Sequence, residues 1–257
     1  MSNVVYKEDP DESSKIELTD PFDLSNMPSN LSGKFKAHEG KFNWQQVKFM
    51  VYGESGSGKT VFASTWPSCA FLDLDNGMSS IKRKVFQFKI ETWEDLLEAI
   101  DYLKHQRHPF KTVVMDSVNE LQALSLRHIV SSYNVRRPYD SMPSQSDYGK
   151  MLDDCDLMVR EIRSIPTNVV FIAQVAARVY ETDPVQPQFT GKATARNISR
   201  MMDEIGFLEK RESEGKKKRV MVFDAVNFVT KDRSDVLPQS IEDPTYEALS
   251  RYWNPQT

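Results

Sequence analysis

The sequence predicts an α/β fold: a mainly parallel central sheet with helices on both faces and a C-terminal β-hairpin. Three observations carry this. Short apolar runs that end on glycine or acids alternate with stretches of amphipathic helical spacing, the pattern of a wound parallel sheet. The first run, VKFMVYG from Val47, stops on a glycine, and a helix-forming segment follows Lys59. Two late β segments flank a Ser-Glu-Gly turn. The length of 257 residues favours one such domain with appendages over two complete ones.

The elements follow in order. After the first strand and its helix, CAFLDLDNG (69–77) reads as a short buried strand ending in acids and a turn. TWEDLLEAIDYLKHQ is an amphipathic helix with Thr92 as its N-cap. KTVVMDS (111–117) is a third strand, followed by a helix through about Tyr133 with Leu121, Leu124 and Ile129 on one side. Residues 134–146 read as an exposed loop, 148–165 as a helix and 168–174 as a fourth strand. The stretch from Ala176 to about Ala193 has no strong period, and loops this long are commonly functional. Segments 205–210 and 219–224 form the hairpin, and 226–230 a further short β segment.

Composition separates the chain into two parts. Residues 1–40 hold eight acids and four bases, and removing them from the chain's 37 acids and 33 bases leaves 29 of each. The acidic excess therefore lies in a leader rich in Ser, Pro and Asn, which predicts a mobile tail over 1–40 and a domain over 41–257. A neutral domain argues against coating nucleic acid through bulk charge, though not against a local basic groove. Cys69 and Cys155 show no metal or disulfide spacing. No apolar run reaches membrane-spanning length and the acidic start lacks a secretion signal, so the expected location is the cytoplasm.

The octet Gly53, Glu54, Ser55, Gly56, Ser57, Gly58, Lys59, Thr60 fits the pattern G-x-x-x-x-G-K-S/T at every specified position. In that pattern glycines let main-chain N–H groups turn toward phosphates, and the helix start adds partial positive charge. Lys59 then reaches the β and γ phosphates and Thr60 ligates Mg²⁺. ATP and Mg²⁺ are the ligands expected. Asp116, at the end of the VVMD strand, is the natural second Mg²⁺ residue.

Ser117 follows Asp116, where AAA+ and ABC ATPases usually carry a glutamate, and no LSGGQ-like signature occurs. The spare acids sit instead in Ala70-Phe71-Leu72-Asp73-Leu74-Asp75, which resembles the RecA-like branch of P-loop ATPases. Val114-Met115-Asp116-Ser117-Val118 and Val170-Phe171-Ile172-Ala173-Gln174 resemble that branch's Walker B strand and its strand ending in a γ-phosphate-sensing glutamine. More closely, GESGSGKT, FLDLDNG, VVMDS and TKDRSDVLP, spanning Val47 to Pro238, are similar to phage-type AAA-domain nucleotide-binding proteins. Some of those act as RecA-like single-strand annealing proteins in recombination. The resemblance implies a RecA-like P-loop core in which Asp75 activates the attacking water, with Asp73 as second choice, and Gln174 senses the γ-phosphate. RecA itself has Glu where this chain has Asp75, which implies slow turnover.

The pair Lys231 and Arg233 resembles the trans-acting cations of RecA-like and hexameric helicase ATPases, and so implies assembly into a ring or filament. The loop after Gln174 occupies the place where RecA-like proteins hold single-stranded DNA. Arg178, Tyr180, Lys192 and Arg196 there combine cations with one stacking ring. A second basic cluster, Lys216-Lys217-Lys218-Arg219, sits at the hairpin turn. The expected function is an ATPase, slow and DNA-stimulated, acting on single-stranded DNA in phage recombination or annealing. A single-stranded DNA-binding protein is a candidate partner, and the host cytoplasm the location if the chain is phage-encoded. A helicase or packaging motor, a nucleotide-dependent regulatory switch without DNA binding, and a small nucleotide kinase are the alternatives.

Overall fold

The structure, a computed structural model, describes residues 42–134, 142–213 and 215–254, without the side chains of Tyr133, Asn134, Lys192 and Ser213. The acidic leader and most of the 134–146 loop lie outside these residues. The strands are β1 (Lys48–Gly53), β2 (Cys69–Asp73), β3 (Phe86–Lys89), β4 (Thr112–Asp116), β5 (Asn168–Gln174), β6 (Glu204–Ser213), β7 (Lys216–Val222), β8 (Lys231–Asp232) and β9 (Ser240–Glu242). The helices are α1 (Lys59–Ala63), α2 (Trp93–His105), α3 (Val118–Asn134), α4 (Gln145–Arg163), α5 (Lys192–Met201) and α6 (Tyr246–Trp253).

They build one sheet in the order β3-β2-β4-β5-β1-β6-β7-β9, with β8 paired to β6. From β3 to β6 every pairing is parallel, and the pairings of β7, β8 and β9 are antiparallel. This is the mainly parallel sheet that the sequence predicts, with the hairpin β6–β7 appended. Parallel register places Gly53 opposite Gln174 and Asp73 opposite Asp116, so the chemistry-bearing residues share the carboxyl edge of the sheet.

Strand alternation assigns the two faces. On β1, Met50 and Tyr52 join a core with α2, α3, α4 and α5, while Phe49 and Val51 join a second core with α1 and α6. On β5, Val169, Phe171 and Ala173 face the first core, and Val170 and Ile172 the second. Because both faces are covered, these strands read as continuous apolar runs.

Local chemistry sets the helix ends. Thr92 and Asp95 form a capping box at α2, and Ser144 and Asp147 form one at α4. The second box starts α4 three residues earlier than apolar spacing alone indicates. Helix α5 falls partly inside the stretch expected to be irregular, because only Thr194, Ile198 and Met201 are buried on an otherwise polar helix. The β segment expected at 226–230 is corrected. Asp232 accepts main-chain N–H bonds from Ser234 (2.8 Å), Asp235 (2.9 Å) and Leu237 (2.8 Å), which ends the strand at Lys231–Asp232. Phe228 makes only an isolated bridge to Val185.

Strand β6 begins on Glu204, which is fully buried beside Phe49 and Asp232. Its Oε1 accepts from Ser234 N at 3.3 Å, and its Oε2 is buried without a partner. Burial, then the Asp232 charge, raise its pKa from 4.5 to about 9. A carboxyl raised on folding stabilises fully below its unfolded value and loses that contribution as pH climbs toward the folded value. Glu204→Gln keeps the shape and removes the charge. Urea unfolding should find this variant more stable than the parent at pH 8, by about 1–3 kcal/mol, with the gap closing near pH 5. A gap independent of pH would refute the account.

Candidate active site

The octet forms the turn between β1 and α1. Gly53 lies so close to β6 that a Cβ there would sit 2.1 Å from the Leu208 carbonyl oxygen, so only glycine lets the two strands pair up to the loop. Gly58 caps α1 at φ 104°, a left-handed conformation that side chains disfavour. Helix α1 is only five residues long. The anion-binding capacity therefore rests on the loop's N–H groups and Lys59 more than on a helix dipole.

Lys59 is buried, and its Nζ donates to the carbonyls of Gly53 (2.8 Å) and Glu54 (2.9 Å) and to Gln174 Oε1 (3.2 Å). Burial lowers its pKa, opposed by the charges of Asp116, Glu54 and Asp75. Thr60 Oγ1 donates to Asp116 Oδ2 at 2.8 Å. Burial first, then Asp75, raise the Asp116 carboxyl to about 7. Ser57 Oγ is buried without a partner. Lys59, Thr60 and Asp116 line a cavity of about 350 Å³ with Ser55, Gly56, Gly58, Asp75, Ser80 and Gln174.

The arrangement fits a nucleotide phosphate with Mg²⁺. Asp116 is a buried carboxyl crowded by Asp75 and Asp73 that forms no ion pair among the described residues, and the Ser57 hydroxyl has no hydrogen-bond partner among them. Among the described residues no three His, Cys, Asp or Glu are grouped to hold a metal alone. Mg²⁺ takes few protein ligands and relies on water and phosphate oxygens, and Thr60 and Asp116 are the residues here that would hold it.

Of the two acids at the end of β2 and just beyond it, Asp75 lines the cavity and Asp73 does not. Asp73 is buried and accepts from Gln87 Nε2 (2.6 Å) and Gly77 N (3.3 Å). Asp75 accepts only from Gly77 N, at 2.8 Å, and its pKa is raised chiefly by burial.

Gln174 is tied to the loop behind it. Its N–H donates to Asn119 Oδ1 (2.9 Å), Asn119 Nδ2 donates to the Gln188 carbonyl (2.9 Å), and Gln188 N–H donates back to the Gln174 carbonyl (2.7 Å). Gln122 adds two bonds to Thr190. The sequence reading missed Asn119 and Gln122, whose only signal was their place on the first turns of the helix after Asp116. Across the loop, Arg178 and Arg196 line one cavity of about 560 Å³. Tyr180 is exposed and absent from that lining, and the Lys192 side chain lies outside the described residues.

Lys231, on β8, and Arg233, just after it, are both held by their own chain. Lys231 Nζ donates to the carbonyls of Arg200 (3.2 Å) and Met202 (2.5 Å), and Arg233 pairs with Asp203 at 2.6 Å. Strand β8 joins β6 at Glu204 and Ile205, level with Phe49 and Met50 and so at the opposite end of β1 from the P-loop. Arg219, expected in a charge cluster at the hairpin turn, instead lines the P-loop cavity. Lys218 pairs with Glu242.

Lys59→Ala should abolish nucleotide binding and turnover while leaving the fold intact, checked by calorimetric titration with ATP and Mg²⁺. Unchanged affinity in that variant would refute the site.

A family profile described as an AAA domain matches residues 45–234. Among curated proteins none matches. A solved structure described as the crystal structure of the RadB recombinase aligns with a TM-score of 0.42 at 19% identity, over 69% of this chain and 80% of that one. Among the described residues no helix is long and apolar enough to cross a membrane. The matched segment takes in the glycine loop, every strand of the parallel sheet and the loop behind Gln174, and the chain belongs to the AAA-domain family as a P-loop ATPase.

Proposed function

We propose that residues 41–257 bind ATP with Mg²⁺, hydrolyse it slowly, and act on single-stranded DNA in recombination or annealing of the phage type. The observation that carries this reading is the hydrogen-bonded path from Lys59 through Gln174 and Asn119 to the loop that bears Arg178 and leads into α5 with Arg196. A group that feels the end of the phosphate chain is thereby joined, through its own main chain, to a surface carrying two guanidinium groups.

In this reading Lys59 and the loop amides hold the phosphates, and Thr60 and Asp116 hold Mg²⁺. The ion supplies charge neutralisation at the phosphoryl oxygens. Asp75 orients water, since it is the acid that opens into the cavity and its raised pKa favours taking up a proton. Arg178, Tyr180, Lys192 and Arg196 meet the DNA backbone and one base. Lys231 and Arg233 act across a subunit contact in a ring or filament. Arg233 must first exchange Asp203 for the neighbour's phosphate, so turnover depends on assembly. The cytoplasm is the working compartment and a single-stranded DNA-binding protein a further partner.

ATPase rate with and without single-stranded DNA, alongside strand-annealing and unwinding assays, tests this. DNA should stimulate hydrolysis and annealing should occur without unwinding. Unwinding would favour a motor, and no DNA binding at low salt would leave a regulatory switch. Asp75→Asn should keep ATP affinity and lose roughly 10²-fold or more in turnover. Asn119→Ala should keep ATP affinity and cut the DNA stimulation by about fivefold, the equivalent of one neutral hydrogen bond. Stimulation unaltered in that variant would break the proposed path.

A further inference from the structure

We infer that Arg219, with Lys210 beside it, is a cation pair supplied by the β6–β7 hairpin to the polyphosphate tail of the nucleotide in the same subunit's P-loop. This rests on the ATP-binding reading and adds to it a binding element outside the octet.

The hairpin is built to overhang the loop. Tyr52 pairs with Phe207, so residues of β6 beyond Leu208 run past the end of β1. Lys210 and Arg219 are directly opposed in the antiparallel ladder and therefore share a face. They lie two residues beyond Leu208 and two before Met221, both of which pack in the core that contains Phe62 and Ala63 of α1. Period-two alternation thus carries both cations onto the α1 face, above the P-loop.

The contacts agree. A Cβ on Gly58 would meet Arg219 Nε at 2.4 Å and Cδ at 2.9 Å, so the guanidinium stem lies against the glycine that starts α1. A Cβ on Gly56 would come within 3.9 Å of Lys210 Nζ. Arg219 shares the cavity wall with Ser55, Lys59, Thr60, Asp116 and Gln174. The Arg219 strand position is fixed by Asp243, whose N–H donates to the Arg219 carbonyl (2.7 Å) and whose Oδ1 accepts from the Arg219 N–H (3.3 Å).

Charge supplies the second argument. Like charges directly opposite in a ladder repel, and proteins commonly relieve this with a nearby carboxylate. Among the described residues neither Arg219 nor Lys210 has an ion-pair partner, whereas the adjacent Arg211 and Lys218 pair with Glu209 and Glu242. Two unpaired cations beside main-chain amides define a place for a multiply charged anion. Arg219 also adds the forked donor geometry that Lys59 lacks.

The test compares the full-length parent with Arg219→Ala, Arg219→Lys and Lys210→Ala, measuring ATP affinity by calorimetry with Mg²⁺, thermal midpoint, and single-stranded DNA affinity. Arg219→Ala should weaken ATP binding by roughly ten- to a hundredfold, the range for a charge-assisted hydrogen bond, with midpoint and DNA affinity unchanged. Arg219→Lys should recover part of the loss, and Lys210→Ala should show a smaller one. Should Arg219→Ala misfold, Arg219→Gln carries the same comparison. ATP affinity unchanged in these variants while the parent binds ATP would overturn this inference alone. A loss of DNA affinity in place of ATP affinity would do the same and return the cluster to a DNA surface. No ATP binding by the parent would remove the P-loop reading and this inference together.

Discussion

Everything in the site follows from placing an ammonium and a carboxylate in one dry pocket without letting them neutralise each other. Lys59 is turned onto the Gly53 and Glu54 carbonyls and Gln174, while Asp116 receives the Thr60 hydroxyl. Each is thereby held in place but left electrostatically incomplete, burial pushing the Lys59 pKa down and the Asp116 pKa up. Burial makes that incompleteness expensive, and an anion with its cation relieves both halves at once. The parallel strands, with their acids and amide at one edge, serve to hold this arrangement still.

Two bonded routes leave β1 on opposite sides in the sheet. One passes through β5, where Gln174 is bonded to Lys59 by its side chain and to Asn119 and Gln188 by its main chain. The other passes through β6, whose continuation into the hairpin brings Arg219 over the loop. The first route leads outward to the Arg178 and Arg196 cavity, and the second leads inward.

Much of this was legible in the sequence because local rules and the fold agree. The octet, the strand ending at Asp116, the Thr92 cap and the 168–174 strand each rest on a pattern within a dozen residues. The choice between Asp73 and Asp75 came from the family resemblance. Gln87 on β3, which bonds Asp73, could not inform it, because β3 itself has too little burial to announce itself. Arg219 and Asn119 were not legible for a different reason. Arg219 stands in a run of three lysines that reads as a solvated turn, and only the register with Lys210 separates it from them. The hairpin was recognised but its overhang was not, since strand pairing between residues 49–52 and 204–207 is a long-range fact. Helix α5 escaped because a buried threonine replaces an apolar residue in its stripe.

The contact between Gly53 and the Leu208 carbonyl separates two reasons for glycine within a single motif. Gly53 is required by the neighbouring strand's backbone, whether or not a ligand ever arrives. Gly58 is required by the loop's own curvature and by the room it leaves for a guanidinium. A descendant of this protein that abandoned its chemistry would be free to replace Lys59, and with it the curvature at 58. It would still be bound to keep residue 53 without a side chain for as long as the sheet held together.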